Sequence, residues 1–277
     1  MPIPFTKMHV SGNDFVVLDG VRQSFHVTSK LVQQMSDRHF GIGFDQLLLL
    51  ESPKKPAADF EYRIFNRDGN EVAQCGNGAL CVGKFLLETG LTSFIHKKII
   101  LSTKARNLEV HLSTDNQIAV NMGVPLLDPK QIPFNTPHEN VFYDLKLDNH
   151  TFFISAVNMG NPHVVLLTED IHKTPVKALG KKIASHPAFP ESVNVGFMQI
   201  IHRNQIRLRV YERGAGETLA CGSGACAAVV VGQLRGLLDA EVNVLLPGGQ
   251  LNVCRLSRKN PVWLSGLAST VFKGVWP

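Results

Sequence analysis

The sequence predicts an α+β protein of two pseudo-symmetric lobes, each with an apolar helix wrapped by its own sheet, and a cleft between them. Three observations predict it. First, "FNRDGNEVAQCGNGAL" (65–80) and "YERGAGETLACGSGAC" (211–226) lie over each other without a gap. Arg67 falls on Arg213, Glu71 on Glu217, Cys75 on Cys221, and Gly76, Gly78 and Ala79 on Gly222, Gly224 and Ala225. Second, strand-like runs precede both copies. Third, both copies lead into segments apolar on nearly every side, "GALCVGKFLLETG" and "GACAAVVVGQLRG". A helix without a polar face is buried all round, so each is expected inside a sheet.

In chain order, "FVVLDG" (15–20), "QLLLLE" (46–51), "FEYRIFN" (60–66) and "KIILS" (98–102) read as strands of the first half. The first helix ends at Gly90, a suitable C-cap. The proline-rich "NMGVPLLDPKQIPFNTP" (121–137) reads as a crossover linker. The second half repeats the plan with "TFFISAVN" (151–158), "HVVLLT" (163–168), "FMQIIH" (197–202) and "QIRLRVYE" (205–212). In the last, Ile206, Leu208 and Val210 alternate with Arg207 and Arg209, the period of a half-buried strand. The second helix ends at Gly236; Val229, Val230 and Val231 are poor helix formers, but burial overrides propensity. The domains expected are an N-terminal lobe (1–122) carrying Cys75 and a C-terminal lobe (123–265) carrying Cys221. The segment 266–277 is expected to return to the first lobe.

With 44% hydrophobic and 18% charged residues over 277 positions, the chain can bury a substantial core. A net charge of +5 with scattered lysines argues against a nucleic-acid partner. No apolar run approaches membrane-spanning length, and the N-terminus lacks a signal-peptide pattern. Five cysteines, odd and widely spaced, suit a reducing cytoplasm better than a disulfide framework. Their spacing does not fit a metal site, and no phosphate-loop or dinucleotide fingerprint is present. Cys81 and Cys226, inside the helices, read as core, and Arg63 and Arg209, shared by the repeat, as structural.

A cysteine just ahead of a helix lies near unpaired backbone N–H groups and the positive end of the helix dipole. That setting is expected to lower its pKa from about 8.5 towards neutrality. The same N–H groups cradle a carboxylate. Two such devices facing one cleft would place an α-carbon between two sulfurs, one thiolate removing its proton and the opposing thiol reprotonating the other face. The halves also differ: Asn66 stands where Glu212 does, Asn77 where Ser223 does, and Asp68 where Gly214 does. Asymmetry implies a substrate with a distinguishing far end.

Together with the two cysteine segments, "SGNDFVVLD" (11–19), "GIGFDQ" (41–46), "MGNPH" (159–163) and "ESVNVGF" (191–197) resemble the diaminopimelate epimerase family. The resemblance runs from residue 5 to about 228. It implies barrel-like, mostly antiparallel sheets around the two helices, and epimerisation of LL- to meso-diaminopimelate without a cofactor, in lysine and peptidoglycan-precursor synthesis. It implies Cys75 and Cys221 as the acid/base thiols, and Gly76, Asn77, Gly222 and Ser223 as the carboxylate cradle. Asn13, Gln46, Asn66, Asn161, Asn194, Glu212 and Arg213 would hold the substrate, with His163 and Glu212 adjusting the thiol pKa values. It further implies a homodimer, although Phe272 stands where the family often has a tyrosine at the dimer contact. Two rivals remain: a proline or hydroxyproline racemase using two thiols, and a non-enzymatic thiol redox switch.

Overall fold

The computed structural model describes residues 2–73, 75–92, 98–112 and 117–277. The chain divides into two compact units, Met1–Asn121 with Ser265–Pro277, and Met122–Leu264. The first unit contains β1 (Ile3–Val10), β2 (Asn13–Asp19), α1 (Ser29–Ser36), β3 (Gln46–Glu51), β4 (Phe60–Asn66) and β5 (Glu71–Val72). It continues with α2 (Gly76–Glu88), β6 (Lys98–Ser102), β7 (Asn107–Leu112) and β8 (Ile118–Asn121). The second unit contains β9 (Tyr143–Leu147), β10 (His150–Asn158), β11 (Pro162–Leu167), α3 (Val176–Ala184), β12 (Asn194–His202) and β13 (Gln205–Glu212). Then come β14 (Gly216–Thr218), α4 (Gly222–Leu234), β15 (Glu241–Leu246) and β16 (Gly249–Cys254). After β17 (Trp263–Ser265), β18 (Ala268–Trp276) pairs antiparallel with β1.

The duplication extends well beyond the sixteen aligned positions of the sequence repeat. In the first unit β2 runs parallel to β3, β3 antiparallel to β4, and β4 antiparallel to β5 but parallel to β6, which pairs antiparallel with β7. In the second, β11 runs parallel to β12, β12 antiparallel to β13, and β13 antiparallel to β14 but parallel to β15, which pairs antiparallel with β16. Order and sense are the same. Among these pairings two in each unit are parallel and the rest antiparallel, and one of the parallel pairs is spanned by the apolar helix.

Each apolar helix is enclosed. α2 packs on β1, β2 and β18 and also on β7 and β8, strands from opposite ends of the pairing order, so the sheet curls around it. Gly83 permits this approach: a Cβ there would sit 2.9 Å from the Ile118 side chain. Around α4 lie β10, β11, β12, β13 and β16. Val229, Val230 and Val231 are buried in it. Burial of each contributes about 1.5–3 kcal/mol, more than the propensity deficit of roughly half a kcal/mol. Both helices close on Schellman motifs, as Gly90 and Gly236 allow. These glycines have φ of 68° and 72°. Leu91 N–H bonds Leu86 C=O at 3.0 Å, and Leu237 N–H bonds Gly232 C=O at 2.9 Å.

β3 shows why its sequence does not alternate. Leu48 faces Gly78 of α2, while Leu47 and Leu49 join Val32 and Met35 of α1 in a second apolar layer. Both faces are covered, so both are apolar. In the second unit α3 plays the part of α1, with Val176 and Ile183 packed among Val164, Val195 and Phe197. Ile132 and Phe134, from the proline-rich stretch read as a linker, are buried in that same cluster. Among the described residues no helix is long and apolar enough to cross a membrane.

Candidate active site

The two cysteines occupy equivalent places in their units. Cys75 is the N-cap of α2, with φ −149° and ψ 114°, and its Sγ accepts from Gly78 N–H at 3.3 Å. Cys221 is the N-cap of α4, with φ −130° and ψ 110°, and its Sγ accepts from Gly224 N–H at 3.4 Å. Sulfur thus fills the place an oxygen side chain takes in an ordinary cap. Glycine is required at the first donor, where a Cβ on Gly78 would lie 2.2 Å from the buried Tyr62 hydroxyl; at the second the fit is tight, with a Cβ on Gly224 3.0 Å from the Val210 side chain and 3.2 Å from the Cys221 sulfur. Arg63 grips Glu71 through two bonds of 2.9 and 3.0 Å, and Arg209 bonds Glu217 at 2.7 Å. These arginines tie β4 to β5 and β13 to β14, just ahead of the cysteines, in keeping with a structural role.

In the first unit Asn13, Gln46 and Asn66 stand at the same end of three neighbouring strands, since Gln46 pairs with Phe15 on one side and Asn66 on the other. Gln46 Nε2 donates to Asn66 Oδ1 at 2.8 Å. Asn77 Nδ2 donates to Asn13 Oδ1 at 3.2 Å, and Asn13 Nδ2 to Asp45 Oδ2 at 3.0 Å. Two acceptors, Gln46 Oε1 and Asn77 Oδ1, are buried without a partner. Buried acceptors left unpaired cost free energy and are suited to an incoming donor. Asp45 lies in the "GIGFDQ" stretch beside Gln46 but is not among the residues expected to hold the substrate. It is bridged to Asp14 by Arg38, whose Nη2 lies 3.0 Å from Asp45 and 2.9 Å from Asp14, and Lys7 pairs with Asp14 at 2.6 Å. This ionic group anchors Asn13.

The second unit uses the same positions differently. Register places His163 opposite Asn194 where the first unit has Phe15 opposite Gln46, so Asn161 corresponds to Asn13 and Asn194 to Gln46. His163 Nε2 lies 2.9 Å from Asn161 Oδ1 and 3.1 Å from Ser223 Oγ, which is 3.6 Å from Cys221 Sγ. Asn194 is occupied by the protein: Nδ2 donates to Pro162 C=O at 2.9 Å and Oδ1 accepts from Arg213 N–H at 3.0 Å. Exposed Arg213 reaches Glu191 C=O at 2.9 Å. Glu212 accepts from Thr218 Oγ1 and hydrogen-bonds Cys221.

Electrostatics overturn one expectation. The helix start was expected to lower the thiol pKa, but the Cys221 thiol is pushed well above its ordinary value. Burial is the largest cause, followed by the charge of Glu212. Hydrogen bonds from Ser223 and the Gly224 N–H act the other way and are outweighed. In the first unit Cys75 is only partly buried. Burial also holds His163 neutral, its pKa lowered to about 3, with a further push from Arg213. His163 therefore acts on its surroundings as a neutral hydrogen-bonding group.

The fold is shared with several solved structures. A hydroxyproline epimerase from Agrobacterium vitis superposes with a TM-score of 0.72 at 16% identity, covering 99% of this chain and 92% of its own. A probable proline racemase from Agrobacterium radiobacter gives 0.71 at 17% identity, with 98% and 92% covered. A phenazine biosynthesis protein from Bacillus anthracis gives 0.69 at 14%, with 100% and 99% covered. At these identities the likeness is one of fold. Sequence goes further: a diaminopimelate epimerase from Teredinibacter turnerae is 53% identical over 274 residues, 99% of each chain. The sequence model of that family matches residues 5–127 and 155–265. With that match across both lobes, the chain belongs to the diaminopimelate epimerase family.

Proposed function

We propose that this protein interconverts LL- and meso-diaminopimelate by acid/base chemistry on two thiols, Cys75 and Cys221, with no cofactor taking part. The reaction serves lysine and peptidoglycan-precursor synthesis. One thiolate takes the α-proton from one face of the carbon. The other thiol delivers its proton to the opposite face, leaving the pair in the reverse protonation state. Cys221, kept protonated by burial and by Glu212, is suited to be the resting donor. The helix-start amides at Gly76, Asn77, Gly222 and Ser223 offer N–H groups to the substrate carboxylate as negative charge develops.

The observation that carries the choice of substrate is the pair of unpartnered buried acceptors, Gln46 Oε1 and Asn77 Oδ1, in the unit that holds Cys75. Together with Asn13, Asn66, Asn161 and Arg213 they supply more polar contacts than a ring amino acid requires, while Asn194, engaged by Pro162 and Arg213, holds the frame. A long substrate with ammonium groups uses them. The fold, shared with a hydroxyproline epimerase, does not separate the two. Purified protein incubated without cofactor should change the optical rotation of LL-diaminopimelate and leave proline unchanged. Turnover of proline alone would reverse the assignment, and no turnover of either would favour the redox switch. We read the protein as a cytoplasmic homodimer joined through β18, where Val271, Phe272 and Val275 are exposed. Sedimentation at micromolar concentration tests this, a monomer counting against it.

A further inference from the structure

The second unit contains a buried arginine with no ion-pair partner among the described residues. Arg255 follows β16 and is 3% exposed. Its backbone is fixed: N–H bonds Ala240 C=O at 2.8 Å, and its carbonyl accepts from Gln233 Nε2 at 3.2 Å. Its side chain is less well served. Nη2 donates to Arg258 C=O at 2.7 Å, but Nε is buried and has no partner. The acids closest in sequence are engaged elsewhere, Asp239 with Arg203 at 2.8 Å and Glu241 with Asn252 at 3.3 Å. Burial and the like charge of Arg258 both work against the guanidinium. A buried cation left this way carries a penalty that an anion would remove.

Arg255 lines a pocket of about 390 Å³, near the lower end of small-molecule sites, roughly 300–1,000 Å³. Val141, Leu234, Leu238 and Leu256 form its apolar wall; Gln233, Ser257 and Arg258 line its polar side with Asp239, whose carboxylate is held by Arg203 at 2.8 Å. Arg235, next in sequence to Leu234, has an unpartnered Nη1 and lies 6.0 Å from the Phe142 ring. We propose that this pocket binds a small carboxylate with an apolar body, its carboxylate on the Arg255 guanidinium and its hydrocarbon on the leucines. The unpartnered Nε–H and the apolar wall together favour a carboxylate over inorganic phosphate, which has no apolar part. The pocket lies apart in sequence from every residue assigned to catalysis and serves a different ligand.

The test uses the full protein, with Cys75 and Cys221 alkylated so that the catalytic carboxylate cradle is blocked. Hexanoate, hexanamide and inorganic phosphate are titrated by calorimetry. Hexanoate is expected to bind one site, at least about tenfold tighter than hexanamide or phosphate. Arg255→Met should abolish this. Should that variant fail to fold, Leu256→Asp sets a negative charge at the exposed edge of the wall; it should weaken hexanoate at least about tenfold, and the same variant left unalkylated should epimerise as wild type does. Absence of binding to folded wild type would overturn the proposal. So would equal binding of hexanamide or phosphate, or hexanoate binding unaltered by Leu256→Asp.

Discussion

At the scale of single residues, the second unit places a fully buried imidazole and a half-buried carboxylate, Glu212, around one thiol. His163 takes up no proton in the folded state until pH is about 3, whereas the unfolded chain protonates it near 6.5. Between these values the unfolded state binds more protons, so stability falls as pH falls, by about 2 kcal/mol at pH 5. Replacement His163→Gln should remove that component, and urea midpoints at pH 7 and pH 5 measure it. An unchanged pH dependence would mean the histidine is not buried neutral. Glu212 is open to a separate trial. Its charge raises the Cys221 pKa, so Glu212→Gln should make Cys221 alkylate faster at pH 8, threefold or more as a rough estimate, with Cys75 unaffected. Slower alkylation would indicate that Glu212 activates the thiol instead. Legibility at this scale is partial. Cys75 and Cys221 emerge from the repeat because the motif around them is contiguous. Asp45 does not, because its role depends on the fold bringing it to Asn13. Nor does the raised pKa of Cys221, which the helix-start argument places on the wrong side: dipole and N–H effects are local, and desolvation is not.

At the scale of the element, the cysteine caps depend on glycines that serve different ends. Gly78 is needed for space, since its Cβ would meet the Tyr62 hydroxyl at 2.2 Å. Gly90 is needed for conformation, with φ 68° and nothing within 4 Å of an added Cβ. Gly90→Ala should therefore cost about 1 kcal/mol of strain. Gly78→Ala should cost about 2 kcal/mol or more by overpacking, and displace the N–H that meets Cys75. Denaturant midpoints give the ranking, and equal costs would refute the steric argument. Strong strands and both apolar helices were visible in the sequence. The short helices α1 and α3 and the two- and three-residue strands β5 and β14 were not predicted. The two strands are too short to carry a period, but α1 and α3 do present one apolar face, Val32 with Met35 and Val176 with Gly180 and Ile183, a helical spacing that was there to be read.

At the scale of the whole molecule, the duplication has a chemical test. If two single-proton thiols serve opposite faces, the proton delivered differs from the proton removed. In D₂O, meso product formed early from LL-diaminopimelate should carry deuterium at the inverted carbon, while unreacted LL substrate stays largely protiated. One shared base would return the same proton to either face. Mass spectrometry of both isomers at low conversion decides it, and unlabelled product would remove the two-thiol mechanism.

The sequence by itself determined the α+β class, the repeat, the buried helices with their glycine stops, and the pair of cysteines at helix starts. Each of these is written locally, in periodicity or in a contiguous motif. Only the tertiary structure decided that the duplication includes the strand pairings from β2 to β7 and from β11 to β16. It also decided that Phe15 and His163 hold equivalent places, that residues 132 and 134 are core rather than linker, and that Arg255 is buried with no ion-pair partner among the described residues. These follow from strand register and desolvation, which depend on residues far apart in the chain and leave no mark on their immediate neighbours.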